Sequence, residues 1–246
     1  MNQKIRLNKF LATIGIGSRR KVNDLVKEGR VMVNNSPAQL NSRIDPVKDS
    51  IFVDNQKVQN KVQLNYILLN KPKGVISTTN DEFQRRSITD LIDTDNRIYP
   101  VGRLDAMTTG LMLLTNDGEL TYRLTHPKFH IPKTYELLIQ GTVEDKLLQK
   151  LEQGVVLKEP LTLPTEARVI WIKDNRTLIE LTIHQGWNHQ IRRMCGVLNL
   201  QLISLKRIAI GSIKLGNLEE GKYRYLTQEE IDHLKDDITY EKKKKP

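Results

Sequence analysis

The beginning of the chain carries apolar positions at the spacing of two short helices. In the first, IRLNKFLATIG, the residues that recur at helical spacing are Leu7, Phe10, Leu11 and Ile14. Gly15 is a typical stop, because glycine readily adopts the left-handed conformation that ends many helices. Ser18 can cap a second helix, SRRKVNDLVKEG, which ends at Gly29 and whose buried stripe is Val22, Leu25 and Val26.

An alternating apolar and polar pattern follows these helices and is typical of strands. The stretch RVMVNNSPAQLNSRI alternates and turns at residues 34–37, and DSIFVDNQKV alternates around a turn at residues 54–55. The pattern therefore predicts two small helices that lead into a hairpin, as a separate domain over residues 1–60.

From residue 64 onward the chain is rich in predicted strands. Alternating, β-branched or aromatic segments bounded by turn residues are LNYILLNKP, LMLLTND, KTYELLIQG, EARVIWI, RTLIELTIHQG and GKYRYLT. Helices are expected to begin at Ser87, Asp117, Thr142 and Thr227, the last with a capping box to Glu230. Because strands outnumber helices and do not alternate regularly with them, we predict an α+β domain with a mixed, mostly antiparallel sheet over residues 64–236.

Basic residues outnumber acidic ones along the chain. Lys and Arg total 39 against 29 Asp and Glu, so the formal net charge is +10, which favours a polyanionic partner such as nucleic acid. The end of the chain, YEKKKKP, has too little apolar content to fold. We therefore expect residues 237–246 to form a basic, disordered tail.

The composition favours a protein of the cytoplasm with no metal site. No apolar stretch approaches the ~18 residues of a membrane span, and Cys195, the single cysteine, is expected to be a small core residue. His126 and His130 are four residues apart, as in some helical metal sites, but Pro127 and Pro132 make a continuous helix there improbable.

The second helix begins with Arg19, Arg20 and Lys21. Cations in a first turn oppose the helix dipole, whereas an anion there would be held by the dipole and the side chains together. The pattern indicates a phosphate site, and the alternative is an ordinary solvated face.

Polar chemistry interrupts the strand pattern in RIYPVGRLDAMTTGLMLLTNDG. A turn explains Gly102 and Gly110, since glycine reaches backbone angles closed to other residues, but it does not explain Arg103 and Asp105. A carboxylate in such a loop can be a turn residue, a partner in an ion pair or a nucleophile. This stretch alone leaves the three alternatives open.

Further stretches combine basic or aromatic side chains with turns. In HQGWNHQIRRMC, Asn188 is expected to cap a helix whose first turns hold His189, Arg192 and Arg193. Arginines near a helix start suit an anion, either a phosphate or the Asp105 carboxylate. The stretch NKPKGVIST forms a rigid basic turn with Lys71 and Lys73. In PKTYELL, Tyr135 lies at a strand start and is preceded by Lys133.

These stretches occur in a recognisable order. KPKG, YPVGRLD, TTGLMLLTNDGEL, HPK, KTYEL and NHQIRRMC, behind a basic two-helix module, resemble the RsuA/RluB-type ribosomal RNA pseudouridine synthases over nearly the whole chain. The leading module is similar to the small αL-type RNA-binding domain. The resemblance implies an enzyme that flips a uridine out of its stack, detaches the base and rejoins it through a ring carbon, without cofactor or metal.

The resemblance also implies roles for individual residues. Asp105 matches the essential aspartate, Arg192 the arginine that pairs with it, and Tyr135 the tyrosine that lies against the base. A guanidinium suits this pairing because it can bond a carboxylate with two parallel hydrogen bonds. Such a pairing would keep the carboxylate charged in a site that excludes water. The expected contacts to RNA are Arg19, Arg20, Lys21, Lys71, Lys73, Arg103 and Arg193.

The expected partner is ribosomal RNA, from the large subunit, or a ribosomal precursor particle, bound by a monomer. The sequence departs from the motif at AMTTG, after GRLD, and at Trp187, and both lie near the expected RNA path. Two other functions remain open from the residues: a noncatalytic RNA-binding protein of ribosome assembly, and a relative that modifies tRNA.

Overall fold

A computed structural model describes residues 4–59, 63–79, 81, 83, 85–157, 162–163 and 165–243, with side chains as far as Asp237. The described chain divides into two compact units. The first contains the residues up to Asn65 together with Asp95–Arg97 and Asn116–Gly118, and the second contains the rest.

The first unit combines two helices with short strands. The helices are α1 (Leu7–Thr13) and α2 (Arg19–Lys27). The strands are β1 (Ile5–Arg6), β2 (Val31–Val33), β3 (Ser36–Pro37), β4 (Arg43–Ile44), β5 (Ile51–Val53) and β6 (Gln56–Lys57). β1 pairs with β4, and the other strands form a sheet in the order β3-β2-β5-β6. The unit thus contains more sheet than the predicted hairpin.

A local signal fixes the start of α2. The Oγ atom of Ser18 accepts a hydrogen bond from the Lys21 backbone amide at 3.1 Å, as expected for the cap of α2. The predicted apolar stripes pack together with the strands, and the buried core consists of Leu7, Phe10, Leu11, Val22, Leu25, Val26, Val31, Ile44, Ile51 and Val53.

The second unit is built on one large sheet. Its strands are β7 (Tyr66–Lys71), β8 (Tyr99–Pro100), β9 (Thr109–Thr115), β10 (Lys133–Gln140), β11 (Glu166–Lys173), β12 (Arg176–Ile183), β13 (Leu202–Ile210), β14 (Ile213–Lys214) and β15 (Tyr223–Tyr225). The main order is β11-β12-β10-β13-β9-β7-β15, with β14 paired to β13 and β8 to β9. Among these pairs β13 and β9 run parallel and the others antiparallel, so the predicted mixed, mostly antiparallel sheet is confirmed.

Four α-helices and two 3-10 turns connect these strands in the described chain. They are the helices α3 (Gly118–Thr125), α4 (Asp145–Gln153), α5 (Gln190–Val197) and α6 (Gln228–Lys243), and the 3-10 turns Ile88–Leu91 and Pro127–Phe129. The capping box at the start of α6 is confirmed, since Thr227 and Glu230 exchange side-chain to backbone hydrogen bonds. α4 begins after Glu144 rather than at Thr142.

Apolar side chains cover both faces of the central strands. In β9, Met112 and Leu114 belong to one buried cluster and Leu111 and Leu113 to another. Because both faces are buried, the segment reads as a continuous apolar run rather than an alternating one.

Strand β13 is absent from the sequence-based prediction, although it lies in the middle of the sheet. It runs against β9 so closely that a Cβ atom on Gly110 would overlap the carbonyl oxygen of Arg207, and Gly110 has a φ of +99°. Both the contact and the backbone conformation require glycine there.

The predicted tail also differs from the structure. α6 continues to Lys243, so residues 237–243, expected to be disordered, are helical. Asp237 Oδ2 accepts a hydrogen bond from the Ser212 backbone amide at 2.7 Å, which ties this turn of the helix to the loop after β13. Residues 244–246 lie outside the described chain. Among the described helices, none combines the length and apolar character needed to cross a membrane.

Candidate active site

A cleft of about 210 Å³ lies in the second unit, lined by the loop before β9, by β10, β12 and β13, and by the start of α5. Most of the residues predicted to be catalytic or to lie beside the substrate line this cleft. Asp105, Tyr135 and Arg192 all line the cleft, as does Arg103.

Buried hydrogen bonds hold the loop that carries Asp105. Ser77 Oγ donates to the Leu104 carbonyl at 2.7 Å and accepts from the Leu104 amide at 3.0 Å. The Gly74 amide donates to the Ala106 carbonyl at 2.8 Å, so the residues on both sides of Asp105 are fixed to the chain that follows β7.

Two side chains from the start of α5 face the carboxylate of Asp105. Arg192 Nε lies 3.5 Å from Oδ2, and His189 Nε2 lies 3.4 Å from Oδ1. The structure therefore brings together the predicted pair, but as one longer contact rather than two parallel hydrogen bonds. The Asp105 side chain is 33% exposed, so the open cleft does not exclude water from it.

A hydrogen bond to Thr108 explains why the Arg192 guanidinium approaches the Asp105 carboxylate through Nε and not through two nitrogens. The Arg192 Nη2 atom donates a hydrogen bond to Thr108 Oγ1 at 3.2 Å. Thr108 is buried, and its amide donates to the Asp105 carbonyl at 3.0 Å. The turn from Asp105 to Thr108 thus carries both groups that position Arg192, the carboxylate and the hydroxyl.

His189, the residue before α5, has an unexpected backbone conformation. It is the N-cap residue, with a φ of +50°, whereas the sequence predicted Asn188 as the cap. Non-glycine residues adopt this left-handed conformation rarely. With its backbone in this conformation, His189 contacts Asp105 through its imidazole.

Tyr135 lies on β10 with its side chain toward the cleft and is 7% exposed. Its ring packs in the core cluster that includes Leu205 and Ile191. Its phenol oxygen makes no hydrogen bond to any residue that the structure describes. The oxygen therefore remains available to a ligand.

Lys71 is a correction to the predicted RNA contacts. It ends β7, a strand buried along its whole length, and has no exposed surface. Its Nζ atom donates to the carbonyls of Pro72 at 2.9 Å and Ala106 at 3.3 Å. Lys71 therefore supports the loop of Asp105 from inside and does not reach a phosphate, and burial lowers its pKa to about 8.

The other predicted RNA contacts are on the surface. The exposed residues are Arg19, Arg20, Lys21, Lys73, Arg103 and Arg193. Arg193 also donates from Nη2 to the Leu157 carbonyl at 2.8 Å, so part of its hydrogen-bonding capacity serves the fold. The first turn of α2 contains no acidic residue that would neutralise its cations.

The histidine spacing noted in the sequence does not form a helical pair. His126 and His130 flank the 3-10 turn Pro127–Phe129, and His130 has a left-handed conformation. Within the described ranges, no group of three or more His, Cys, Asp or Glu side chains could hold a metal ion. Cys195 is buried, as predicted, and burial raises its pKa to about 11.

Comparison with known families gives the chain its place. A model of RNA pseudouridylate synthases matches residues 65–196, and a model of the S4 domain matches residues 5–51. The chain belongs to the RNA pseudouridylate synthase family. These matches, together with the relatives and the solved structure described next, confirm the predicted resemblance to RsuA/RluB-type synthases and the predicted fold class.

Individual relatives in this synthase family match almost end to end. A Bacillus subtilis protein named ribosomal large subunit pseudouridine synthase B is 42% identical over 234 residues, which cover 94% of this chain and 95% of that protein. An Aquifex aeolicus protein named an uncharacterized RNA pseudouridine synthase is 41% identical over 234 residues, 94% of each. The crystal structure of a pseudouridylate synthase is 32% identical, with a TM-score of 0.68, and the match covers 94% of this chain and 99% of that one.

Sequence reasoning gave no role to several residues that line this synthase cleft. Thr108, Lys133 and Arg207 line it, and His189 contacts Asp105. His189 is three residues before Arg192, close to one helical turn, a spacing that could have linked the two. Arg207 could not be placed, because the strand that carries it was not predicted.

Proposed function

We propose that the protein isomerises a uridine of large-subunit ribosomal RNA to pseudouridine. The observation that carries the proposal is the convergence of Asp105, Arg192 and Tyr135 on one cleft of a pseudouridylate synthase fold. The 42% identity to the Bacillus subtilis large-subunit enzyme supports the choice of RNA.

The proposed chemistry begins with the Asp105 carboxylate. Breaking the bond between the base and the ribose develops positive charge on the sugar, which a carboxylate can stabilise, as in glycosidases. Arg192 and His189 approach separate oxygens of that carboxylate. They would orient it while leaving it accessible, since a third of its side chain is exposed.

The proposed role of Tyr135 is to hold the base. A cleft of about 210 Å³ is too small for a duplex, so the uridine would have to leave its stack to enter. The flat ring of Tyr135 could stack on it, and the free phenol oxygen could accept or relay a proton.

The proposed RNA contacts lie on both predicted domains. Residues 1–60 would act as the RNA-binding domain, with Arg19, Arg20 and Lys21 at the start of α2, and residues 64–236 as the catalytic domain. Arg103, at the cleft, Lys73 and Arg193 would contact the RNA backbone there. We place this activity in the cytoplasm and assign it to a monomer acting on ribosomal RNA or a precursor particle.

The experiment is tritium release from large-subunit ribosomal RNA transcribed with uridine labelled at C5. The wild-type protein should release the label as water, because C5 loses its hydrogen when it bonds to the ribose. Asp105→Asn should release none. Asp174→Asn, the same chemical change at the exposed turn between β11 and β12, is the matched control and should behave like wild type.

Three results would contradict the proposal. Full release by Asp105→Asn would remove the carboxylate from the chemistry. RNA binding without release by the wild-type protein would favour the noncatalytic assembly role, and release from transfer RNA alone would favour a tRNA-modifying enzyme.

A further inference from the structure

The cleft contains two cations, the buried Arg207 and the half-buried Lys133, that the proposed chemistry has not used. Lys133 and Arg207 both line it, from the neighbouring strands β10 and β13. Arg207 is only 3% exposed. No carboxylate lies within ion-pair distance of either side chain in the part of the chain that the structure describes. Because a buried charge is costly without a counter-ion, this pair is an anomaly that a ligand could explain.

The two cations are not equally free to act on a ligand. Arg207 Nε donates to the Leu111 carbonyl at 2.8 Å, and its Nη2 lies 3.8 Å from the Met112 sulfur, so the guanidinium ties β13 to β9. Lys133 Nζ donates one hydrogen bond, to the Ile131 carbonyl at 2.8 Å. An ammonium has three N–H donors, so two remain for a ligand.

The strand geometry places Lys133 beside the proposed base site. Lys133 and Tyr135 are two residues apart on β10, and side chains at that spacing point to the same face of a strand. Both line the cleft. A base lying against Tyr135 would therefore have the Lys133 ammonium close to its rim.

The reaction supplies the missing anion. When the bond between C1′ of the ribose and N1 of uracil breaks, its electron pair stays with the base, which becomes a uracil anion with charge spread over its ring carbonyl oxygens. The C5 atom then forms the new bond to C1′ with an electron pair of the ring. The proton on C5 leaves to water and N1 gains one, so the product is an isomer of the substrate.

We propose that Lys133 donates a hydrogen bond to a carbonyl oxygen of the detached uracil and stabilises its negative charge. The inference rests on the proposed function and adds a second charged centre to it. Asp105 would act on the positive sugar and Lys133 on the negative base. A preorganised donor is effective because it acts where the charge develops.

The electrostatics of Lys133 make the proposal testable by pH. Burial, assisted by the nearby Arg207 guanidinium, lowers the pKa of Lys133 to about 8. Other titratable groups on neighbouring elements of the cleft are His130, His184 and Tyr135, and Asp105, His189 and Arg192 also line it. A substitution at Lys133 itself is therefore needed to assign any titration.

The experiment measures tritium release from the labelled large-subunit transcript between about pH 6 and about pH 10, for wild type, Lys133→Arg and Lys133→Met. Wild-type kcat/KM should fall above about pH 8, since this ratio follows the free enzyme. Lys133→Arg should keep at least a tenth of the activity and lose that fall, because guanidinium stays protonated. Lys133→Met should lower kcat by about 100-fold, with RNA affinity unchanged.

Controls separate this proposal from the fold and from the proposed function. Lys206→Met, a lysine on β13 next to Arg207, should keep wild-type rates, and thermal melting reports whether each variant folds. If Lys133→Met does not fold, the comparison of wild type with Lys133→Arg decides. The proposal is overturned by a wild-type profile that is flat near pH 8, by the same fall in Lys133→Arg, by a folded but inactive Lys133→Arg, or by wild-type rates in Lys133→Met. Any of these with an inactive Asp105→Asn would leave the isomerase function standing.

Discussion

Arg192 donates a hydrogen bond from Nη2 to the Oγ1 atom of Thr108 at 3.2 Å, across 84 positions of sequence. Through this bond, the turn that presents the Asp105 carboxylate also orients the guanidinium that faces it. The ion pair depends on a hydroxyl that carries no charge.

Replacing Thr108 with Val should therefore slow the reaction without unfolding the protein. The substitution keeps the shape and removes one hydrogen bond, worth about 1 kcal/mol, or roughly a fivefold lower rate of tritium release. Thr108→Ser keeps the hydroxyl and should remain within about twofold of wild type. Equal rates for the Val and Ser variants would show that the bond does not position Arg192.

Lys71 should make stability depend on pH. Its pKa in the folded protein, about 8, lies below its ordinary value of 10.5, so the unfolded chain binds more protons between these values. The free energy of unfolding should consequently rise from about pH 8 to about pH 10, by about 2 to 3 kcal/mol for this residue.

Urea titrations of wild type and Lys71→Met across this pH range would check the effect. The unfolding free energy of wild type minus that of Lys71→Met should rise with pH, because methionine does not titrate. Lys73→Met, an exposed lysine two residues along, is the control and should leave the pH dependence of wild type intact. A constant difference between wild type and Lys71→Met would contradict the buried, deprotonating lysine.

The cations of α2 should contribute to RNA affinity but not to folding. Substituting Arg19 and Arg20 together with alanine removes two exposed charges, so the melting temperature should hardly change. The log-log slope of affinity against salt should become shallower by about 0.7 for each phosphate that the variant no longer neutralises. Fluorescence anisotropy with a fragment of large-subunit ribosomal RNA at several salt concentrations measures this slope.

A variant with the same loss of charge tests whether position matters. Alanine at Lys173 and Arg176, exposed on the β11–β12 hairpin, removes two charges elsewhere. An equal loss of affinity there would mean that only total charge counts. A lowered melting temperature for the α2 variant would instead make its arginines structural.

Gly110 should be intolerant of any side chain. Alanine would place a Cβ against the Arg207 carbonyl at a φ of +99°, so the strands must separate or the variant must fail to fold. Gly141→Ala is a matched control, since its φ is +87° but nothing lies within 4 Å of the added atom. We expect Gly141→Ala to lose about 1 kcal/mol and Gly110→Ala several times more, measured by urea unfolding. Similar losses would show that conformation alone, and not the close approach, requires glycine.

Local pattern was sufficient for most helices and strands. Ser18 and Thr227 cap the helices for which they were proposed, because a cap depends on residues only a few positions away. Strand β13 was missed because Lys206 and Arg207 interrupt its apolar run, and its partners are distant in sequence. Burial of an arginine in mid-sheet depends on acceptors, such as the Leu111 carbonyl, that only the folded chain supplies.

Contacts between distant elements also limited what the sequence could predict about the site. Family motifs brought Asp105 and Arg192 together, and the structure places them 3.5 Å apart. The motif could not show whether Lys71 faces a phosphate or the core, since both uses favour a lysine beside a turn. The motif that contains Thr108 could not show its contact, because that contact depends on an arginine from a different element.

The position of β13 has a consequence for synthesis of the protein. This strand, starting at Leu202, separates β10, with β11 and β12, from β9 and β7. A nascent chain that has not yet produced it holds two half-sheets whose inner edges are both unpaired, and such edges invite pairing with other chains. Completion of the sheet, and with it the cleft, must wait for one of the last strands to leave the ribosome.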